Sequence, residues 1–172
     1  KLRLTGPTSA VEGLFNGPAW YYLLAVPFVI SGGNPYASIL MEIVLWLIGG
    51  VFLLKTMQRF GVWAVITVGF LWVTSNYIVL TNIYAFNPNP VTLLTPLFIF
   101  LIEKFIKTGA LKYSIFMWFL AGLFFNFEMN IGVFTPLIII LSLVLLDKNF
   151  KSKIKATLIG FSFFALTLIP QI

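Results

Sequence analysis

Residues 129–155 read MNIGVFTPLIIILSLVLLDKNFKSKIK, and this stretch decides the fold. Met129–Leu146 carries no charged side chain, whereas Asp147 opens a segment holding Lys148, Lys151, Lys153 and Lys155. An uncharged apolar run of about 18 residues is long enough to cross the hydrocarbon core of a bilayer. It lacks the period-2 alternation of a barrel strand, so it reads as a helix. A helix that ends in a lysine cluster is one that reaches the cytoplasmic face. The expectation is a membrane helix running inward.

The whole chain follows that pattern. Of its 172 residues, 60% are hydrophobic, 17% aromatic and only 9% charged. A soluble domain carries about 25% charged residues, so there are too few here to coat a water-facing surface. A soluble domain, a disordered tail and a fibrous repeat are excluded. The chain has no cysteine and no histidine. A disulfide framework, a thiol nucleophile, a histidine base and a histidine-ligated metal are therefore excluded within it. It begins at Lys1 and stops at Gln171-Ile172 inside an apolar run. That is the expectation for an internal piece of a longer polytopic protein, truncated at both ends.

Nine of the eleven basic residues fall in three clusters: Lys55 and Arg59; Lys104, Lys107 and Lys112; and Lys148, Lys151, Lys153 and Lys155. Their spacing fits two crossings of about 20 residues each plus a turn. The positive-inside rule places all three clusters in the cytoplasm. The turns Thr81–Pro90 and Asn126–Gly132 then lie on the external face. The spans follow as Tyr36–Leu54, Gly61–Leu80, Val91–Ile106, Tyr113–Phe127, Met129–Leu146 and the start of a sixth at Ala156–Ile169. The net charge of +6 is dispersed over inter-helical loops, which argues for a topology signal and against a nucleic-acid surface.

Pro18–Ile30 is apolar but covers only about 20 Å at 1.5 Å per residue, short of a core about 30 Å thick. Pro27 interrupts it, and Ser31-Gly32-Gly33-Asn34-Pro35 ends it. With Trp20-Tyr21-Tyr22 in place, it reads as an interfacial or re-entrant helix. Lys1 and Arg3 then lie outside; if the helix crosses, they lie inside. The domain expectation is an external juxtamembrane segment over 1–35 and a bundle of about six helices over 36–172. The fold class is all-α, a polytopic transmembrane helical bundle.

On this topology the polar residues crowd one side. Glu42 and Thr74-Ser75-Asn76 lie in outer halves of helices. Thr81, Asn82, Asn87 and Asn89 fill one outer turn, and Asn126, Glu128 and Asn130 the next. Glu12 and Asn16 belong to the N-terminal segment. Inner halves such as Val51–Leu54 and Leu141–Leu146 are apolar, which suits an amphiphile with its head outside. An intramembrane carboxylate is a functional candidate by default. For Glu42 the alternative is a protonated or hydrogen-bonded group near the headgroups. For Glu128 it is a solvated turn residue. Asn87-Pro88-Asn89-Pro90 is a rigid turn leading into a helix, and capping alone would explain it. A helix N-terminus open to a cavity would also favour a phosphate.

Several motifs resemble a known family. Gly13–Leu24, GLFNGPAWYYLL, resembles the GP-x-x-Y-Y-L segment of GT-C membrane glycosyltransferases, in particular the dolichyl-phosphate-mannose protein mannosyltransferase type (glycosyltransferase family 39). Gly33-Asn34-Pro35 resembles the break after that family's juxtamembrane helix. Asn87-Pro88-Asn89-Pro90 resembles its (W)NPN helix start, with Phe86 where Trp is common. Gly122–Glu128, GLFFNFE, resembles its G-L-x-x-Q-x-H motif, with Asn126 in place of Gln and Glu128 in place of His.

The resemblance implies a GT-C-like bundle that moves a sugar from a polyprenyl-phosphate-linked donor to an acceptor on the external face. The acceptor is a lipid, a glycan or a protein. It implies an acidic catalytic residue upstream of Lys1, with Asn16, Tyr21, Asn87, Asn89, Asn126 and Glu128 as candidate substrate-binding residues. The expected location is the plasma membrane, as a multi-pass protein in contact with the bilayer and not with nucleic acid. Nothing in the sequence calls for a metal or other cofactor. The main rival is a transporter or lipid flippase, which would place its polar groups nearer the midplane. A purely structural membrane subunit would have no need of the clustered outer polar turns.

Overall fold

The computed structural model describes residues 5–9 and 14–169. Lys1, Arg3, Glu12, Gly13, Gln171 and Ile172, discussed above, lie outside them. Regular structure among the described residues is helical: α1 (Ala19–Ile30), α2 (Ala37–Met57), α3 (Val62–Thr74), α4 (Asn76–Leu80), α5 (Asn89–Thr108), α6 (Leu111–Phe127), α7 (Met129–Gly132), α8 (Phe134–Leu146) and α9 (Phe150–Leu168). A short 3-10 turn, Gln58–Phe60, follows α2, and Thr8 forms an isolated bridge with Phe15. The protein is an all-α membrane bundle. Among the described residues, two helical stretches are long and apolar enough to cross a bilayer, Ala37–Phe60 and Met129–Leu146. The 12 residues of α1 rise only about 18 Å.

Local chemistry explains where helices start and break. Gly61 separates α2 from α3 at φ 94°, a conformation that glycine adopts without strain. The expected single helix Gly61–Leu80 is broken at Ser75, whose ψ of 117° is extended. Thr74-Ser75-Asn76 are three residues whose side chains compete for backbone groups, and Thr74 Oγ1 donates to the Phe70 carbonyl at 2.7 Å. The run Met129–Leu146 is interrupted between α7 and α8. Pro136 has no N–H to offer the Gly132 carbonyl one turn back. The Thr135 hydroxyl donates to that carbonyl instead, at 2.7 Å, so the freed group is satisfied as lipid demands.

The last helix starts earlier than expected, at Phe150 instead of Ala156. Asp147 accounts for this: its Oδ1 accepts from the Asn149 backbone N–H at 2.9 Å, a turn that launches the helix. Lys151, Lys153 and Lys155 therefore ride on α9 and not on a loop.

The chain forms two compact units, one of Tyr22–Phe100 and the other of the segment before it with the chain from Leu101 onward. In the second, α6 and α9 share the most extensive helix contact. A Cβ on Gly160 would meet Ser114 Oγ at 2.3 Å, and one on Gly122 would meet Thr167 Oγ1 at 2.1 Å. Small residues let the backbones approach this closely. Ser114 Oγ then donates to the Ala156 carbonyl at 2.8 Å, and the Trp118 and Phe125 rings of α6 meet Phe164 of α9 edge-on. In the unit of Tyr22–Phe100, Gly49 lets α2 lie against the Leu93 carbonyl, and Gly50 lies against the Trp72 ring.

Candidate functional site

The candidate residues fall into two groups, one in each unit. In the unit of Tyr22–Phe100 they belong to the loop between α4 and α5. Asn89, the first residue of α5, is buried. Its Nδ2 donates to the Thr81 carbonyl at 3.0 Å and to the Tyr84 carbonyl at 2.8 Å. Thr81 Oγ1 and Asn82 Nδ2 both donate to the Ile78 carbonyl, at 2.7 and 2.8 Å. The loop is thus tied to itself by its own polar side chains, and Asn87 is buried within it. Pro90 sits in the first turn of α5, where a missing N–H costs nothing. Asn89 donates its amide to the loop carbonyls, a role the capping expectation did not foresee.

Glu42, on α2, belongs with this loop. Its side chain is 0% exposed. The carboxyl faces the Phe86 backbone N–H and the Asn89 side chain, but neither oxygen completes a hydrogen bond of good geometry. The Asn89 amide protons are already directed at two carbonyls.

In the other unit, the structure brings together Asn16, Glu128 and Asn130. Asn16 Oδ1 accepts from the Met129 backbone N–H at 3.0 Å, across the point where Glu128, with an extended backbone, separates α6 from α7. Glu128 Oε1 accepts from Asn130 Nδ2 at 3.0 Å, and Asn130 Nδ2 also approaches Ser9 Oγ at 3.5 Å. Asn16 is buried, and its Nδ2 has no partner. Trp20 meets Phe127 edge-on, with ring centroids 6.4 Å apart at 85°. Tyr21 lies beside it on the first turn of α1, half-buried. The GP-x-x-Y-Y-L segment and the GLFFNFE segment, which are over a hundred positions apart, are therefore stapled to each other by Asn16–Met129 and Trp20–Phe127.

Asn126 is on α6 itself, buried in its last turn and not in the turn that follows. Its Nδ2 donates to the Gly122 carbonyl at 2.9 Å and to the Thr167 carbonyl of α9 at 3.0 Å.

The chain matches the family model described as dolichyl-phosphate-mannose-protein mannosyltransferase over residues 16–171. The chain belongs to this family. No curated protein and no solved structure matches it. The family is one of membrane glycosyltransferases that take sugars from polyprenyl-phosphate donors. The matched range includes both groups of candidate residues.

One ionic site escaped the sequence reading. Lys153, counted above as a topology signal, reaches Asp147 Oδ2 at 2.6 Å and also donates to the Ile106 carbonyl near the end of α5. Both members of the pair are largely buried, at 13% and 4% side-chain exposure. Asp147 stands in a segment with four lysines, and only the fold sets Lys153 beside it.

Proposed function

We propose that this mannosyltransferase-family chain is part of an enzyme that transfers a sugar from a polyprenyl-phosphate donor to an acceptor on the external face of the plasma membrane. The family match over residues 16–171 carries the reading. Residues 1–35 are read as the external juxtamembrane segment and 36–172 as the helical bundle. The three lysine and arginine clusters face the cytoplasm.

In the transfer, the acceptor hydroxyl or amine gives its proton to a carboxylate and attacks the anomeric carbon. The bond from that carbon to the phosphate oxygen breaks, and the lipid phosphate leaves with the electron pair. In the unit that holds α6 and α9, Asn16, with an unspent buried amide, Tyr21, Asn126 and Glu128 are the proposed substrate-binding residues. In the unit of Tyr22–Phe100, taken by itself, they are Asn87 and Asn89. Polar groups held in place before reaction stabilise the leaving phosphate without reorganising.

The test is sugar transfer by the full-length protein in proteoliposomes, with polyprenyl-phosphate mannose and other polyprenyl-phosphate sugars as donors. Asn16→Ala and Glu128→Gln are expected to lower transfer while the protein stays folded. Undiminished turnover in both would remove them from the site. Cysteine labelling at positions 84 and 151, both exposed, should occur from opposite sides of the membrane, and labelling from one side would overturn the orientation.

A further inference from the structure

Glu42 is the most completely buried titratable group described, at 0% exposure, and the reaction above makes no use of it. It sits on α2, one of the two stretches long enough to cross a membrane. Burying a carboxyl is expensive unless its oxygens are hydrogen-bonded. Neither of its oxygens completes such a bond. An apolar side chain of the same size would serve packing at least as well. Packing alone therefore gives no reason for a carboxyl at this position.

Its surroundings supply a reason. The carboxyl faces the Phe86 backbone N–H and the Asn89 side chain, the two ends of the Phe86-Asn87-Pro88-Asn89 segment. That segment enters α5, a helix of 20 residues, whose N-terminal end is the positive end of its dipole. Asn89 is in turn tied to Thr81 and Tyr84. A carboxyl placed there attracts both the amide and the helix end, and so holds the Asn-Pro-Asn-Pro turn against α2.

We propose that Glu42 is a positioning residue for this turn, fixing Asn87 and Asn89 in the geometry that meets the donor. The inference rests on the proposed role of those asparagines in donor binding. Glu42 touches no substrate itself and acts through the turn.

The experiment uses the full-length protein in proteoliposomes with two substitutions. Glu42→Met keeps the volume and removes the acceptor oxygens, and Glu42→Gln keeps one acceptor oxygen. The donor KM of Glu42→Met is expected to rise about tenfold through the lost attraction between the carboxyl and the turn, with kcat much less affected. Glu42→Gln should stay close to the wild type. A second readout does not depend on activity. Thr81 is buried beside Asn89, so a Thr81→Cys variant should label slowly with a water-soluble maleimide. Labelling should accelerate in the Glu42→Met background and not in Glu42→Gln.

Unchanged labelling in a folded Glu42→Met protein overturns the positioning role, as does a donor KM equal to that of the wild type. If the wild type transfers no polyprenyl-linked sugar but labelling still responds to Glu42→Met, the positioning stands and the assigned reaction falls. If Glu42→Met does not fold, the same two readouts on Glu42→Gln decide, since a Gln variant whose loop labels as fast as denatured protein contradicts the proposal.

Discussion

The α6–α9 contact in one unit and the surroundings of α2 in the other bury polar groups on opposite terms. Along α6–α9 they are used to join helices: Ser114 donates to Ala156 near one end and Asn126 to Thr167 near the other. Around α2 several are left open beside a turn that satisfies its own. Glu42 has two unpartnered oxygens, and Trp46 Nε1 and Trp72 Nε1 are buried without partners. In lipid, helix association has no hydrophobic drive and rests on close packing and interhelical hydrogen bonds. Side chains fully used in that work are explained by stability, whereas unspent ones call for another reason. Trp118 Nε1 is the exception in the first region, unpartnered although its ring stands edge-on to Phe161 and Phe164.

The sharpest way to break the comparison is to remove a polar group from the satisfied region. Asp147→Ala leaves Lys153 largely buried beside the Ile106 carbonyl with its charge uncompensated. The expected loss is about 3 kcal/mol, as for other buried ion pairs cut on one side. Unfolding by SDS in mixed micelles measures it. A loss below that of an exposed pair such as Glu103–Lys107, about 0.5 kcal/mol or less, would mean that the Lys153 site is solvated after all.

Close packing should cost the same kind of penalty in both regions. Gly160→Val places a Cβ 2.3 Å from Ser114 Oγ and 2.8 Å from the Ser114 carbonyl oxygen. Gly49→Val places one 1.9 Å from the Leu93 carbonyl oxygen. Backbone atoms cannot swing away, so each should lose about 1–3 kcal/mol or fail to assemble. Parallel micelle unfolding of the two variants compares the regions directly. If only Gly160→Val is destabilised, the α2 region is loosely packed as well as unsatisfied.

Much of this was legible in the residues, for reasons that differ by feature. Long uncharged runs ending in lysines announce membrane helices, because length and charge are local properties. The all-α architecture and the shortness of α1 follow from them. The meeting of Asn16 with Met129 was not legible, since sequence carries no register between segments so far apart. The break at Ser75 was hinted at by Thr74-Ser75-Asn76, but residues of that kind also occur inside unbroken helices. Asn126 looked like a turn residue because it stands close to Glu128 and Asn130 at the end of an apolar run. Its true role depends on α9, whose Thr167 carbonyl no local pattern could bring near. Glu42 stood out by cost alone, and only the fold supplied the turn it faces.

Asn126→Ala separates the two uses of a buried polar group. It removes the donor to Thr167 and to Gly122 and empties a buried position, so the stability loss should be at least that of an interhelical hydrogen bond in membranes, about 0.6–1.7 kcal/mol. Sugar transfer should fall in step with the folded fraction. Transfer that falls much further would move Asn126 from the helix joint into direct contact with the donor.

The smallest effect is expected where a helix glycine has room. Gly69 on α3 meets only Leu54 Cδ2, at 3.1 Å from a Cβ placed there. That methyl is the far end of a flexible side chain and can give way by rotation. An alanine there gains up to about 1 kcal/mol of helix propensity, and the nudge to Leu54 takes some of it back. Gly69→Ala should therefore leave micelle unfolding within about 0.5 kcal/mol of the wild type, the usual scale for changes that touch no buried feature. A loss as large as that of Gly49→Val would show that α3 is as tightly seated on α2 as the Leu93 backbone is. Openness around α2 would then be confined to its hydrogen bonds and would not extend to its packing.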